Sequence, residues 1–194
     1  MKKFLILPLL AVLAMAFTSV NTKYNVSTAG SNITWTGYKV TGQHTGDIKL
    51  KSGSLDMKDG VLAGGSFEVD MNSMTCTDLQ GEYAGKLIGH LKAEDFFFTE
   101  KYPTAKFVIT KAIPTDSKGN YKIVGNMTIK WTTKEVKFNA FVSEKDGKVN
   151  ASGKITIDRS DFEVKYGSGS FFDGLGDKTI YDDFDLQLSI SAAK

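Results

Sequence analysis

The sequence predicts an all-β protein whose antiparallel strands close into a barrel. From Asn32 onward, apolar residues recur with a period of two, which is the pattern of strands with one buried face. Turn signals such as Asp59-Gly60 and Asp146-Gly147 separate these runs. No long amphipathic helix is available to cover the apolar face, so the sheet must fold against itself, as a sandwich or a closed barrel. About eight antiparallel strands form a barrel wide enough to hold one small ligand.

The alternation is carried by stretches of residues spread over most of the chain. In the segment FEVDM, apolar and acidic residues alternate strictly, and only Val124 and Asp182 break the pattern in the longer stretches. The stretches are residues 67–71, 121–131, 136–142, 149–157 and 180–190. Gly125 and Gly153 lie inside strands, where glycine indicates a bend or a close approach.

One segment departs from this period. Residues 78–98 lack clean alternation and place Leu87, Ile88, Leu91 and Phe96 at roughly helical spacing. We interpret the segment as a long connection with one or two helical turns. The predicted fold is therefore an eight-stranded antiparallel barrel with a short helical insertion near residues 78–98.

Residues 1–16 have the pattern of a secretory signal peptide. A basic start at Lys2 and Lys3 precedes an apolar run over residues 4–17, and Ala14-Met15-Ala16 provides small residues for cleavage. The apolar run is shorter than the ~20 residues that a spanning helix needs. We expect a single barrel domain over residues 17–194 that is periplasmic or secreted, soluble, and without stable membrane insertion.

Charge and composition argue against a nucleic-acid partner. The chain has 24 Lys and Arg residues against 22 Asp and Glu residues, and Arg159 is its only arginine. Nucleic-acid binding normally requires a basic patch, and dense phosphate recognition favours arginine. The oligomeric state is open at this stage, with a homodimer as one alternative.

Catalytic and metal-binding patterns are sparse, and we expect no catalytic residues, no metal and no enzyme. His44 and His90 lie in different segments without ligand spacing, which favours structural histidines. The lone Cys76 is most simply a small buried residue. Asp158 and Asp161 flank Arg159 after a strand, and we expect these charges to pair locally at a turn.

Phenylalanine is the most informative feature of the composition. The chain contains 13 phenylalanines, with clusters at residues 96–98 and 171–172. Periodicity alone leaves two alternatives for the barrel interior, a filled core or an open channel.

The Ser168-Gly169-Ser170 segment has no catalytic context and is interpreted as a loop.

Several motifs, in order along the chain, resemble the signatures of the YceI family. The closest is residues 89–97 (GHLKAEDFF) followed by residues 100–107 (EKYPTAKF). Further similar stretches are residues 42–46 (GQHTG), residues 125–130 (GNMTIK) with Thr133-Lys134, and residues 157–162 (IDRSDF). The chain departs from the family at Trp131 and Glu163, where glycine is usual, and at Ala93, where serine is usual.

The resemblance implies an extended lipocalin-like barrel that binds a polyisoprenoid, such as a prenyl diphosphate or an isoprenoid quinone, in a hydrophobic tunnel. It also implies export from a bacterial cell, for transport, storage or stress protection. No cofactor is expected beyond the bound isoprenoid lipid. The residues expected to line the tunnel are Phe67, Val69, Met71, Leu91, Phe96, Phe97, Phe107, Ile109, Met127, Ile129, Phe138, Ile155, Phe184, Leu186 and Leu188.

Two alternatives to a lipid carrier stay open. The first is a ligand-free structural or stress-related barrel with a filled core. The second is an enzyme acting on a lipid, which would need His44, His90 or the Asp158 and Asp161 pair at a pocket. Trp131 is a further open point, since an inward tryptophan would narrow the tunnel.

Overall fold

The computed structural model describes residues 19–194, so the predicted signal peptide at residues 1–16 lies outside the described residues. Nine strands and one α-helix make up the described fold. The strands are β1 (Asn21–Val26), β2 (Asn32–Lys39), β3 (Gly42–Lys58), β4 (Val61–Asp70), β5 (Thr104–Pro114), β6 (Asn120–Ile129), β7 (Thr132–Lys145), β8 (Lys148–Asp158) and β9 (Ile180–Ala193), and helix α1 spans Gly81–Lys92 between β4 and β5.

Strands β2 to β9 form a closed antiparallel barrel. Each pairs with the next along the chain, and β9 closes the ring by pairing with β2, with Ile33 opposite Leu188. Closure removes the free edges that an open sheet would expose. The predicted eight-stranded barrel with a helical insertion near residues 78–98 is confirmed.

Strand β1 is a short ninth strand that alternation in the sequence did not reveal. It pairs with the second half of β3, with Tyr24 opposite Leu55, and touches the end of β9. Strand β3 is long enough, at 17 residues, to pair with β2 along its first half and with β1 along its second. The extra strand therefore extends one end of the barrel.

The two ends of the barrel differ. One end carries the β3–β4, β5–β6 and β7–β8 hairpins together with β1, and we call it the closed end. The other carries the β2–β3 and β6–β7 hairpins, helix α1 and the connection over residues 159–179, and we call it the helix end. None of the helices in the described residues has the length and apolar character to cross a membrane.

Helix α1 covers the helix end with its apolar face. Leu87, Ile88 and Leu91 follow helical spacing and pack against the core from one side of the helix. A 3-10 helix at Met71–Ser73, capped by the Asp70 side chain, leads from β4 into this connection. The aromatic run that follows α1 turns back at Phe98, whose φ is +50°.

Gly125 supports the prediction that strand glycines mark close approaches. A Cβ at this position would lie 2.3 Å from Cζ of Phe107. The bare backbone of β6 thus makes room for the Phe107 ring of the neighbouring strand β5, inside the barrel.

Candidate ligand cavity

The barrel interior is open. A cavity of about 460 Å³ runs between the strands, within the range of small-molecule sites. Almost all of its wall is made of aliphatic and aromatic side chains. The filled-core alternative is therefore wrong for this part of the molecule.

All fifteen residues that the sequence proposed for the tunnel line this cavity. Alternation is the reason for most of them, because every second residue of β4 to β9 points to the same face of the curved sheet. Leu91, Phe96 and Phe97 lie at the helix end, supplied by α1 and the turn that follows it. Their contribution to ligand binding stays a prediction.

Sequence reasoning missed the lining residues of β2 and β3. The large apolar side chains that line the cavity from these strands are Ile33, Trp35, Ile48, Leu50 and Leu55. Their alternation with polar residues in the sequence is the signal that identifies them. Trp35 is held in the wall by a hydrogen bond of 3.0 Å from its indole Nε1 to the Thr75 carbonyl.

Aromatic rings form a large part of the cavity wall. Phe107 lies 6.4 Å from Phe67 and 5.7 Å from Phe138, measured between ring centroids. At the helix end, Phe97 contacts Phe96 at 5.0 Å and Phe184 at 6.3 Å. These stacked, tilted and edge-on pairs are favourable ring geometries, and all six rings line the cavity.

The closed end is filled by packed side chains. Leu55, Leu62 and Ile123 form part of the cavity floor. Beyond the floor lie Tyr24 and Val149, both almost fully buried. The cavity therefore does not continue through this end of the barrel.

Two tyrosine hydroxyls pin the closed end. Tyr24 donates a short hydrogen bond to the Glu144 carboxylate, and this bond raises the pKa of Tyr24. The Tyr121 hydroxyl accepts a hydrogen bond of 3.2 Å from the backbone N–H of Leu62. The first bond joins β1 to β7 and the second joins β6 to β4, and neither pair of strands is adjacent in the barrel. Both bonds therefore stabilise the packing at the closed end.

The mouth of the cavity lies at the helix end. Lys39, Lys178 and Tyr181 line the cavity there and are exposed to solvent. Tyr38 also lines the mouth, and its hydroxyl donates a hydrogen bond of 2.6 Å to Asp185, which raises the pKa of Tyr38. The polar groups of the cavity are thus concentrated where a ligand headgroup would remain hydrated.

His44 is a structural histidine at the mouth. Its Nδ1 lies 2.8 Å from Oδ2 of Asp78, and the backbone N–H of Thr45 donates to Oδ1 of the same carboxylate at 2.9 Å. Burial alone would raise the pKa of Asp78, but hydrogen bonds from Thr45, His44 and Cys76 outweigh it and hold the value at about 2. The same neighbourhood raises the pKa of the Cys76 thiol, chiefly through burial.

His90 lines the cavity among aromatic side chains. Its ring packs edge-on against Tyr166 at 4.3 Å and against Phe96 at 5.5 Å. Its Nε2 is buried and has no hydrogen-bond partner among the described residues. His44 and His90 therefore make different contacts, and no group of three or more potential metal ligands occurs in residues 19–194.

The expected local pairing of Arg159 with Asp158 and Asp161 is wrong. The Asp158 carboxylate instead caps the 3-10 helix Arg159–Phe162 by accepting from the Ser160 N–H, and Asp161 lies 3.6 Å from Lys134. Arg159 is buried, and it pairs with Asp182 at the start of β9. A partner 23 positions away could not be read from the local sequence.

Arg159 also fastens the 159–179 connection to the barrel. Its guanidinium donates to the carbonyls of Val164 at 2.6 Å, Ile180 at 3.0 Å and Tyr181 at 3.2 Å. Burial lowers the pKa of Arg159, while the charge of Asp182 acts in the opposite direction.

Trp131 does not narrow the cavity. It lies in the β6–β7 turn with 57 % of its surface exposed and packs outside the barrel against Tyr102, at 5.3 Å between ring centroids. The turn places Lys130 at φ +55°, and its ammonium group lies 4.6 Å from the Trp131 ring. The departure from the usual glycine therefore leaves the cavity length unchanged.

The model of the YceI-like domain matches residues 24–192. The chain belongs to the YceI-like family. Among sequence relatives, a UPF0312 protein of Photorhabdus laumondii is 36 % identical over 90 residues, which cover 42 % of this chain and 45 % of that protein. A UPF0312 protein of Shewanella denitrificans is 27 % identical over 147 residues, which cover 72 % of this chain and 73 % of the relative. The match thus spans less than half the length of the Photorhabdus protein.

Solved structures share the YceI-like fold. Burkholderia cenocepacia BcnA matches with a TM-score of 0.71 at 21 % identity, covering 87 % of this chain and 99 % of BcnA. A polyisoprenoid binding domain from Saccharophagus degradans, implicated in plant cell wall breakdown, matches with a TM-score of 0.67 at 12 % identity, covering 88 % and 97 %. These likenesses establish the YceI-like barrel architecture of the present chain.

Proposed function

We propose that this YceI-like protein binds one molecule with a long apolar chain inside its barrel. The observation that carries the proposal is the cavity of about 460 Å³, which is lined by apolar side chains, floored at one end and open at the other. An apolar chain in water exposes surface that such a cavity removes from solvent.

The energetic scale is sufficient for stable binding. Each buried methylene contributes about 0.8 kcal/mol, so a ten-carbon length contributes roughly 8 kcal/mol before association costs. No directional bond is needed for this gain, which fits a wall with few polar groups.

A polyisoprenoid is the ligand class that we propose. The likeness to a polyisoprenoid binding domain supports it, as does a wall built from aromatic and branched aliphatic side chains. A prenyl diphosphate and an isoprenoid quinone both fit this description. In either case the headgroup lies at the mouth, beside Lys39, Lys178 and Tyr181, where lysines keep their charge in water.

We also propose that the protein is exported and acts as a carrier or store of its ligand outside the cytoplasm. The signal-peptide pattern of residues 1–16 supports this proposal. Export predicts that the isolated protein begins after residue 16. The mass of the intact protein and its distribution between cell fractions test this directly.

Ligand binding is tested in two ways: by identifying a co-purified lipid, and by measuring probe binding to variants in which a tryptophan fills the cavity. We expect native mass spectrometry of gently purified protein to show a lipid adduct, and a fluorescent prenyl probe to bind saturably. Leu186→Trp and Phe138→Trp place a bulky ring in the cavity and should weaken probe binding about tenfold or more.

Outward substitutions provide the matched control. Gln187 and Asn139 are exposed neighbours of the two blocked positions, so Gln187→Trp and Asn139→Trp add the same ring on the outer face. These variants should bind the probe like the parent protein. Absence of both a co-purified lipid and saturable probe binding would reject the proposal.

A further inference from the structure

Exposed aromatic side chains are concentrated at the end of the barrel where the cavity opens. Within residues 19–194, six of the seven exposed large aromatic residues lie at the helix end. They are Tyr83, Trp131, Tyr166, Phe171, Phe172 and Tyr181, while Phe141 lies toward the closed end. Aromatic residues gathered on one face of a soluble protein mark a surface that contacts a partner.

Two adjacent phenylalanines project from the connection between β8 and β9. Phe171 and Phe172 are 42 % and 50 % exposed. The base of this loop is fixed, because Ser168 is fully buried and the hydroxyls of Ser168 and Ser170 both donate to Oδ2 of Asp182, at 2.9 and 2.6 Å. The fixed base of the loop therefore holds two large apolar side chains in solvent. Their exposure to water is unfavourable, and a partner that covered them would remove this penalty.

This apolar tip is continuous with the mouth of the cavity. Tyr166 and Lys178 line both the cavity and an adjoining surface depression that also includes Phe172 and Leu175. The exposed Val40, at the tip of the β2–β3 hairpin, is joined to the loop by a hydrogen bond of 3.1 Å from its N–H to the Thr179 carbonyl. We call Val40, Phe171, Phe172 and Leu175 the rim patch.

The charges around the rim patch are balanced. The exposed Lys39, Lys165 and Lys178 border it. The exposed acids Asp95, Asp173 and Asp177 lie in the same depression or the same loop and match them in number. A strongly anionic partner would find no excess of positive charge here. The chemistry of the patch suits the interfacial zone of a phospholipid bilayer, where aromatic rings are favoured without any need for net charge.

We infer that the rim patch docks the protein on the surface of a phospholipid bilayer with the cavity mouth facing the lipid. Phe171 and Phe172 enter the interfacial zone, and Val40 and Leu175 rest against it. In this pose an apolar chain passes between bilayer and cavity without crossing water. The inference rests on the proposed function for its purpose, but the docking itself is measured separately.

The test measures co-flotation with vesicles. We expect the full chain to bind vesicles of phosphatidylcholine, and to bind equally when part of that lipid is replaced by phosphatidylglycerol or when salt is raised. A Phe171→Ser/Phe172→Ser double variant should lose about tenfold or more in vesicle affinity. Phe141→Ser is the matched control, because Phe141 is 43 % exposed toward the other end and its loss should leave vesicle binding unchanged.

Several outcomes overturn the inference. Absence of vesicle binding by the parent protein does so, as does equal binding by the double variant, or binding that requires phosphatidylglycerol and disappears in salt. Sedimentation velocity without lipid identifies a different occupant: if the parent dimerises and the double variant is monomeric, the rim patch is an interface between two copies of the chain.

Probe uptake without vesicles separates this inference from the proposed function. The double variant should still bind a dissolved prenyl probe, because Phe171 and Phe172 do not line the cavity. Vesicle binding without any probe uptake would reject the proposed function and leave the docking intact. Probe uptake without vesicle binding would reject the docking alone.

Discussion

The Arg159 guanidinium lies 3.2 Å from the Asp182 carboxylate, in a site where the two side chains are only 3 % and 16 % exposed. Asp182 also accepts hydrogen bonds from Ser168 and Ser170, so this one carboxylate joins the end of β8, the start of β9 and the loop between them. The pair therefore organises the rim of the cavity mouth.

Removal of the arginine should be strongly destabilising. Arg159→Met leaves the Asp182 charge without its cation and leaves three carbonyl groups without their donor, so we expect a loss of about 3–5 kcal/mol in unfolding free energy. Urea denaturation measures it. Lys137→Met is the control, because Lys137 and Glu135 form an exposed ion pair whose loss should leave the unfolding free energy nearly unchanged. Equal losses in the two variants would contradict the structural role of Arg159.

A single methyl group at Gly125 should disturb the cavity wall. Gly125→Ala places a Cβ 2.3 Å from the Phe107 ring and 2.6 Å from the Val108 carbonyl, which forces both to move. We expect a loss of about 1–3 kcal/mol in unfolding free energy together with weaker prenyl-probe binding.

Gly37→Ala is the matched control for Gly125. Gly37 also lines the cavity, but a Cβ there would meet no atom within 4 Å. Its stability should change little or rise by up to about 1 kcal/mol through the stiffer unfolded chain. If the two glycine variants show the same unfolding free energy and the same probe binding, the close contact between Gly125 and Phe107 does not stabilise the cavity wall.

Acid should weaken the fold through Asp78. The pKa of Asp78 is about 2 in the folded protein and 3.8 ordinarily, so the unfolded chain takes up this proton first. Because Asp78 is exposed and solvent screens its interactions, the resulting stabilisation is about 1 kcal/mol or less; it is present above pH ~4 and is lost as the pH falls through about 2. Urea midpoints from neutral pH to pH 2 should fall less steeply for Asp78→Asn than for the parent. Parallel curves would show that Asp78 does not contribute.

Trp131 should be dispensable for ligand uptake. It packs on Tyr102 outside the barrel, so Trp131→Ala should leave prenyl-probe affinity and the length of the co-purified chain unchanged. Titration with probes of increasing chain length measures both. A longer accepted chain in the variant would place the tryptophan in the path of the ligand, against its position in the structure.

The barrel was predictable because its signal is local and repeated. Alternation along β4, β6 and β9 identifies inward residues such as Val69, Met127 and Leu186 without any knowledge of their neighbours. Helical spacing around Leu87 and Leu91 identified α1 in the same way. These features follow from the period of the backbone, which each segment carries on its own.

What the sequence could not provide depends on irregular backbone and distant pairing. His90 and Tyr166 meet at the cavity because α1 and the 159–179 connection cross at the helix end. The Arg159–Asp182 pair joins positions 23 residues apart, and local charge spacing suggested the wrong partners. The outward turn of Trp131 depends on a positive φ at Lys130, which nothing in the residue pattern indicates.

Tyr24 and its neighbours leave the barrel open at one end only. Because β1 and Tyr24 block the closed end, a ligand would enter and leave the cavity through the same mouth. It would not pass through the barrel from one end to the other. In the proposed function, a guest whose headgroup stays at the mouth enters the cavity tail first and leaves it head first. In that arrangement the distance from the floor at Leu62 to the mouth limits the length of the tail, so bulkier or smaller floor residues should change the chain length that the cavity accepts.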